Sequence, residues 1–151
     1  MSVKSKLNKY LIPLVVALIM LVLSGCSNIR LIADYDEQTD AAVTQIQRKM
    51  EQFLISLERN MGKDEASYAR NTRFYDEVRV DLSAVRVRAA AIPENGIIIQ
   101  QLGLLSDNLV NLEKIHKLGI SANDIPPIRT AFNVSCTAIL KLELAKKRGK
   151  S

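Results

Sequence analysis

Apolar residues recur at intervals of three and four positions in four stretches of the chain, a spacing that places side chains on one face of an α-helix. The first stretch carries Val43, Ile46, Met50, Phe53 and Leu57. The second carries Tyr75, Val78, Leu82, Val85, Ala89 and Ile92. The third carries Ile98, Leu102, Leu105, Leu109 and Leu112, and the fourth carries Ile128, Phe132, Ser135, Ile139 and Leu142. The pattern therefore predicts four amphipathic helices.

Turn-forming residues separate the first three stretches. Gly62 is the expected C-cap of the first helix, because glycine adopts the left-handed conformation that ends many helices. Asp64 or Ser67 is the expected N-cap of the second helix. The sequence Pro-Glu-Asn-Gly at residues 93–96 predicts a turn between the second and third helices.

A longer connection follows the third helix, which is expected to end near Leu118 and Gly119. Within residues 120–127, Ser121 and Asp124 have the spacing of a capping box. Asp124 is also the expected cap of a fourth helix that has two prolines in its first turn, and this helix should run to about residue 147.

Four helices with short connections predict an all-α fold, an up-down-up-down four-helix bundle over residues 36–148 with a short basic end at 149–151. The same spacing also suits a coiled coil between chains. Three turn signals divide the pattern into segments of similar length, however, so packing within one chain is the favoured interpretation.

The N-terminal part has a different character. Lys4, Lys6 and Lys9 occur without any acid, and the run from Leu11 to Leu23 is uncharged. Thirteen residues are too few for a comfortable membrane span, which needs about 20, but they suit the hydrophobic region of a secretory signal. Residues 1–25 are therefore predicted to be a signal peptide.

The sequence Leu23-Ser24-Gly25-Cys26 resembles the lipobox of bacterial lipoproteins. The resemblance implies cleavage between Gly25 and Cys26. It also implies that the Cys26 thiol takes a diacylglycerol and that the new amino group takes a further acyl chain such as palmitate. Residues 26–35 would then tether the bundle to the membrane. The alternative is a plain transmembrane anchor with an incidental cysteine.

The residue after the cysteine bears on location. Ser27 stands there rather than Asp, which in lipoproteins of Gram-negative bacteria implies sorting to the outer membrane, facing the periplasm. The rest of the chain is loosely similar to small uncharacterised helical lipoproteins of proteobacteria, a resemblance that implies no activity. Membrane lipid, through acylated Cys26, and another envelope protein are the expected partners.

Processing changes the charge of the chain. The signal removes three of 21 basic residues and none of 16 acidic ones, so the net charge falls from +5 to +2. A net charge this small does not indicate a nucleic-acid partner. The second cysteine, Cys136, has no partner for a disulfide within the chain once Cys26 is acylated.

Antiparallel helices return the chain to the end at which it started. The basic residues Lys146, Lys147, Arg148 and Lys150 are therefore expected beside Cys26, where each can contribute up to about 1 kcal/mol on an anionic membrane. The alternative is that they complement the helix dipole and stay solvated.

The first and third connections should meet at the opposite end of the bundle. Lys63 and Asp64 in one connection, with Asn123 and Asp124 in the other, form the expected surface for a partner held away from the membrane. The larger faces of the helices are the alternative surface.

Few residues suggest chemistry. Glu113 and His116 have the Glu-x-x-His spacing of di-iron bundles, but such a site needs a second pair and two more glutamates, and the chain has one His. Cys136 with His116 has the residue types of a thiolate and its base. Cys136 is instead expected to be an inert buried thiol. No catalytic residue, metal or cofactor is predicted.

Two charged groups have structural interpretations. The acids Asp34, Asp36, Glu37 and Asp40 are expected to stabilise the start of the first helix. The second helix is expected to carry five arginines: Arg70, Arg73, Arg79, Arg86 and Arg88. Those flanking its apolar face are expected to pair with acids such as Glu51 and Glu58 on a neighbouring helix, rather than to bind a ligand.

The sequence thus favours a membrane-anchored envelope lipoprotein that acts as a non-catalytic binding, accessory or adaptor module. The alternative is an envelope hydrolase or a lipidated inhibitor of a hydrolase. Paired carboxylates form hydrolytic sites without a local signature, and a pocket with two carboxylates roughly 5–9.5 Å apart would favour the enzyme.

Overall fold

The computed structural model describes residues 33–148, and their architecture is a bundle of four α-helices. Helix α1 spans Glu37–Arg59, α2 spans Thr72–Ala90, α3 spans Gly96–Leu118 and α4 spans Ile125–Arg148. Two short 3-10 turns, Asp64–Ala66 and Tyr68–Arg70, lie between α1 and α2. The predictions for residues 1–25, the lipidation site Cys26, and Lys150 lie outside the described residues.

The helices pack in the predicted up-down-up-down order. Each helix contacts its two neighbours in the order α1, α2, α3, α4, and α4 closes the bundle against α1. Helices of 19 to 24 residues are about 29–36 Å long. The prediction of an all-α four-helix bundle is confirmed.

The core consists of the apolar faces that the periodicity predicted. Of the predicted positions, Ile92 and Leu142 are partly buried and the others are buried. The core cluster also contains Leu54, Ala66, Ile125 and Cys136. Nearly all of the predicted core positions are therefore correct, which follows from the fixed 3.6-residue turn of the helix.

The boundary between α1 and α2 differs from the prediction. Helix α1 ends at Arg59, and its C-cap is Asn60, whose side-chain amide donates to the Ser56 carbonyl (3.0 Å). Gly62 lies further on, in the turn, with a φ of +80°. The predicted C-cap at Gly62 was therefore wrong, although its left-handed conformation was anticipated.

The start of α2 also lies later than predicted. The helix begins at Thr72, after the N-cap Asn71. The Asp64 carboxylate instead pairs with Arg70 (2.8 Å) and accepts a bond from the Ser67 hydroxyl (3.3 Å). These contacts hold the 3-10 turns, so neither Asp64 nor Ser67 is the N-cap of α2.

The connection between α3 and α4 agrees with the sequence in the end of α3 and in the pairing of Ser121 with Asp124. Gly119, with a φ of +103°, ends α3. The Asp124 carboxylate accepts bonds from the Ser121 N–H (2.8 Å) and hydroxyl (2.6 Å), which is the carboxylate half of a capping box. Helix α4 then begins with both prolines in its first turn.

This topology gives the bundle two ends. We call the near pole the end formed by the start of α1, the connection 91–95 and the end of α4. The far pole is the opposite end, formed by the connections 60–71 and 119–124.

Candidate functional site

A surface depression of about 360 Å³ lies at the far pole. The connection after α1 forms one side, with Met61, Lys63 and Tyr68 among its residues, and the end of α3 forms the other side, with His116 and Leu118. The two connections therefore meet at the far pole, as the topology requires.

His116 is the floor of the depression and is only 3% exposed. Its Nε2 lies 2.7 Å from the Ala66 carbonyl oxygen, and its Nδ1 lies 2.7 Å from the Tyr75 hydroxyl. A carbonyl only accepts, so Nε2 donates to it; in the neutral imidazole, Nδ1 then accepts from Tyr75. His116 thus fixes the connection between α1 and α2 onto α3.

Aromatic rings surround this histidine. The Phe53 and Phe74 rings stack with centroids 3.7 Å apart, and the Tyr75 ring meets both edge-on. Burial, the largest effect, and the nearby Glu113 charge both raise the pKa of Tyr75 above its ordinary value. The Tyr75 phenol therefore stays protonated, so its hydroxyl can donate the hydrogen bond to His116 Nδ1.

Glu113 lies one turn before His116 on α3 but serves different partners. Its carboxylate accepts from the Tyr68 hydroxyl (2.7 Å), pairs with Lys117 (3.1 Å) and contacts the Arg79 guanidinium. Burial, the largest single effect, raises the Glu113 pKa, but these hydrogen bonds and charges together bring it below its ordinary value. Glu113 is therefore a buried anion that holds α2 and the connection against α3.

These contacts assign structural roles to the residues that suggested chemistry. Both nitrogens of His116 are bonded, and the Glu113 carboxylate is surrounded by donors. Within residues 33–148, no group of three or more His, Cys, Asp and Glu side chains is arranged to hold a metal ion. Cys136 is 1% exposed, and burial raises its pKa to about 11. A thiol in this setting is protonated at neutral pH.

A second polar cluster, which we call the near-pole network, joins α1 to α4. The Asp36 N–H donates to Glu143 Oε2 (3.0 Å), and Glu143 Oε1 pairs with Lys146 (2.7 Å). Lys146 also donates to the Asn95 side-chain oxygen (2.6 Å), and the Asn95 amide donates to the Ala89 carbonyl. The Glu143 and Lys146 side chains are 0% and 5% exposed. This ion pair was not predicted.

Asp36 extends this network to α2. It is the N-cap of α1, and its carboxylate accepts from the Thr39 N–H (3.2 Å) and hydroxyl (2.6 Å). Arg88 binds the same carboxylate through two nitrogens, at 2.7 and 2.6 Å. The Arg88 hydrogen bond, the largest effect, lowers the pKa of Asp36 to about 2. Asp36 therefore stabilises the helix start, as the sequence indicated, and also fastens α2 to it.

The near-pole basic residues differ among themselves. Lys146 is enclosed in the ion pair with Glu143, unlike the free cation that the sequence suggested. Lys147 is exposed and its Nζ lies 5.1 Å from the centre of the Tyr35 ring, while Arg148 is exposed at the end of α4. The exposed basic residues described at this pole are therefore fewer than expected.

The expected partner surface is at the far pole, but its members are not equivalent. Lys63 and Asn123 are exposed, and Lys63 lines the depression. Asp64 is exposed and paired with Arg70, while Asp124 is engaged by Ser121. Of the three charged members, Lys63 is thus the one whose side chain has neither an ion pair nor a hydrogen bond to any other described residue.

The arginines have other partners than predicted. Glu51 and Glu58 both pair with Arg129 of α4, each at 2.9 Å, rather than with an arginine of α2. Arg79 and Arg88 flank the apolar face of α2 as expected, but they pair with acids of α3 and of the α1 N-cap. For Arg79 and Arg88, the type of interaction was predicted correctly and the partners were not.

No protein-family model, curated protein or solved structure matches this chain. Among the described residues, none of the helices is both long and apolar enough to cross a membrane.

Proposed function

We propose that this protein is a lipid-anchored lipoprotein of the cell envelope, in the outer membrane and facing the periplasm, whose helical bundle binds another envelope protein and does not catalyse a reaction. The observation that carries the proposal is the sequence Leu23-Ser24-Gly25-Cys26, which resembles a lipobox and follows an uncharged apolar run. The contact between the Asp36 N–H and Glu143 Oε2, 107 positions apart, bears on where such a tether would join the bundle. It fastens the first turn of α1, where the tether enters, to the end of α4.

With such a tether, this contact would give the bundle a defined attachment point. A tether of ten residues between Cys26 and Asp36 reaches at most about 35 Å, since an extended chain spans about 3.3–3.6 Å per residue. The near pole would then face the bilayer. Lys147 and Arg148 would add up to about 1 kcal/mol each on an anionic membrane. Acyl chains contribute about 0.8 kcal/mol per buried methylene, so the attachment would be effectively permanent.

The two cysteines allow a matched test of the anchor. Cells that naturally make the protein are grown with a clickable palmitate analogue, and the wild-type, Cys26→Ser and Cys136→Ser chains are isolated. The proposal expects label and membrane association for wild type and Cys136→Ser, and loss of both for Cys26→Ser. A full-length Cys26→Ser chain that stays in the membrane would instead indicate a transmembrane anchor.

The charged groups of the bundle support binding rather than hydrolysis. A pair of hydrolytic carboxylates needs one member with a raised pKa as general acid. The buried carboxylates among the described residues are Asp36, Glu113 and Glu143, and each is paired with a cation. The pKa values of Asp36 and Glu113 are lowered. These groups suit structural ion pairs better than acid catalysis.

A further inference from the structure

The far-pole depression has an unusual combination of side chains at its rim. Leu118, the last residue of α3, is 89% exposed, the largest exposed fraction among the exposed large apolar residues of the described chain. Met61 and Ile120 lie beside it in the lining and are partly buried. An apolar side chain this exposed gains free energy when a partner removes it from water.

The charge of the rim is one-sided. Lys63 and Lys117 both line the depression, and no acidic residue of the described chain does. Lys117 is partly neutralised by Glu113 and lies over the Tyr68 ring, with its Nζ 4.9 Å from the ring centre. Lys63 makes no ion pair with any residue of the stretch 33–148. The rim therefore carries an unneutralised positive charge next to exposed apolar surface.

The depression is also preformed. Its floor is fixed by the bonds of His116 to Ala66 and Tyr75. Gly62 and Gly119 turn the chain on the two sides with φ values of +80° and +103°, which other residues adopt only with strain. A partner would meet this shape without having to order it first, which lowers the cost of binding.

We propose that this depression docks a segment of another envelope protein in which an apolar side chain stands next to a carboxylate. The apolar side chain packs on Leu118, Met61 and Ile120, and the carboxylate pairs with Lys63. The inference rests on the proposed function, because it takes the partner from the envelope. Charge complementarity selects the acidic segment over a basic one.

Photo-crosslinking in the cells that naturally make the protein tests this docking. An apolar diazirine amino acid is placed at position 118 of the full-length chain, and in a second strain at position 104. Leu104 is the matched control, since it is also an exposed leucine of α3 but lies about 21 Å away along the helix. Each strain also receives Lys63→Glu or, as the charge control, Lys141→Glu on the exposed face of α4.

The expected result is a discrete protein adduct from position 118 and not from position 104. Mass spectrometry should locate the attachment on a peptide with Asp, Glu or a C-terminal carboxylate next to the modified residue. Lys63→Glu should lower the yield about tenfold, because like charges then face each other. Lys141→Glu should change it less than about twofold, since a distant exposed charge is screened.

Other outcomes overturn the docking site. These are no protein adduct at position 118, adducts with lipid only, an adduct on a peptide without a neighbouring carboxylate, or a yield that Lys63→Glu leaves unchanged. Palmitate labelling of the same cells tests the lipid anchor independently of the docking site. Labelled protein without the adduct refutes the docking site alone, and the adduct on unlabelled protein refutes the anchor alone.

Discussion

Removing the amine of Lys146 should destabilise the bundle far more than removing the amine of its exposed neighbour Lys147. In Lys146→Met, the apolar stem of the side chain is kept and the charge is lost. Glu143, which is fully buried, would then be an unpaired anion, and the buried Asn95 oxygen would lose its donor. The remaining bond from the Asp36 N–H does not neutralise the carboxylate.

Burial sets the magnitude of this effect. Breaking a buried ion pair by removing one partner costs about 3–5 kcal/mol, out of a total stability of about 5–15 kcal/mol for a domain. Replacing both charges is much less costly, because no unpaired charge stays behind. The double variant Glu143→Gln with Lys146→Met keeps an acceptor for the Asp36 N–H. It should recover at least about 2 kcal/mol of the loss.

Urea unfolding of the full-length protein in a mild detergent, followed by far-UV circular dichroism, measures these free energies. Lys147→Met is the matched control, since Lys147 is exposed and its amine lies over the Tyr35 ring, with no ion pair to any residue in the stretch 33–148. Its cost should be about 1 kcal/mol or less. The reasoning is refuted if Lys146→Met costs less than about 1 kcal/mol, or if the double variant is no more stable than Lys146→Met.

Three further predictions concern the other buried polar groups. Tyr75→Phe leaves the buried His116 Nδ1 without its donor, and should lower the free energy of unfolding by about 1–3 kcal/mol in the same urea assay. Asp36, with a folded pKa of about 2 against 3.8, should contribute about 2 kcal/mol, present above pH 4 and lost as the pH falls through about 2; Asp36→Asn should flatten stability over this range in acid titrations. Cys136 should react with a thiol reagent at neutral pH only after unfolding, as measured by the rate of labelling with and without urea.

Each of these predictions has a result that contradicts it. A Tyr75→Phe chain as stable as wild type would mean that the hydroxyl bond contributes nothing. If the free energy of unfolding of Asp36→Asn fell in acid as steeply as that of wild type, Arg88 would not lower the pKa of Asp36 as stated. Rapid labelling of folded protein, absent in Cys136→Ser, would mean that this thiol is exposed.

The sequence predicted the helices better than the connections between them. The apolar positions from Val43 to Ile139 were found because a helix repeats every 3.6 residues whatever it packs against. The start of α2 was missed because Asp64 and Ser67 have the chemistry of caps, yet the structure uses them to hold two 3-10 turns. Those turns are fixed by His116, which is distant in sequence.

The candidate sites divide in the same way. Position 143 follows Ile139 by four residues, so the pattern itself placed it on the buried face of α4, and a charged residue there was a signal for a buried partner. That partner is Lys146, one turn later, which the sequence suggested as an exposed cation, either facing the membrane or solvated at the helix end. The arginine that pairs with Glu51 and Glu58 was likewise predicted on α2, but it is Arg129 of α4.

The sequence by itself determined the fold class, the faces of the four helices and the residues that turn the chain, because these depend on local geometry and on the spacing of apolar side chains. The tertiary structure alone decided which charges meet, which of them are buried, and that Lys63 and Leu118 border one depression. Ion pairs and pockets are formed by residues from different helices. Their formation depends on the rotation and offset of each helix against its neighbours. The spacing of apolar residues within one helix does not specify either quantity.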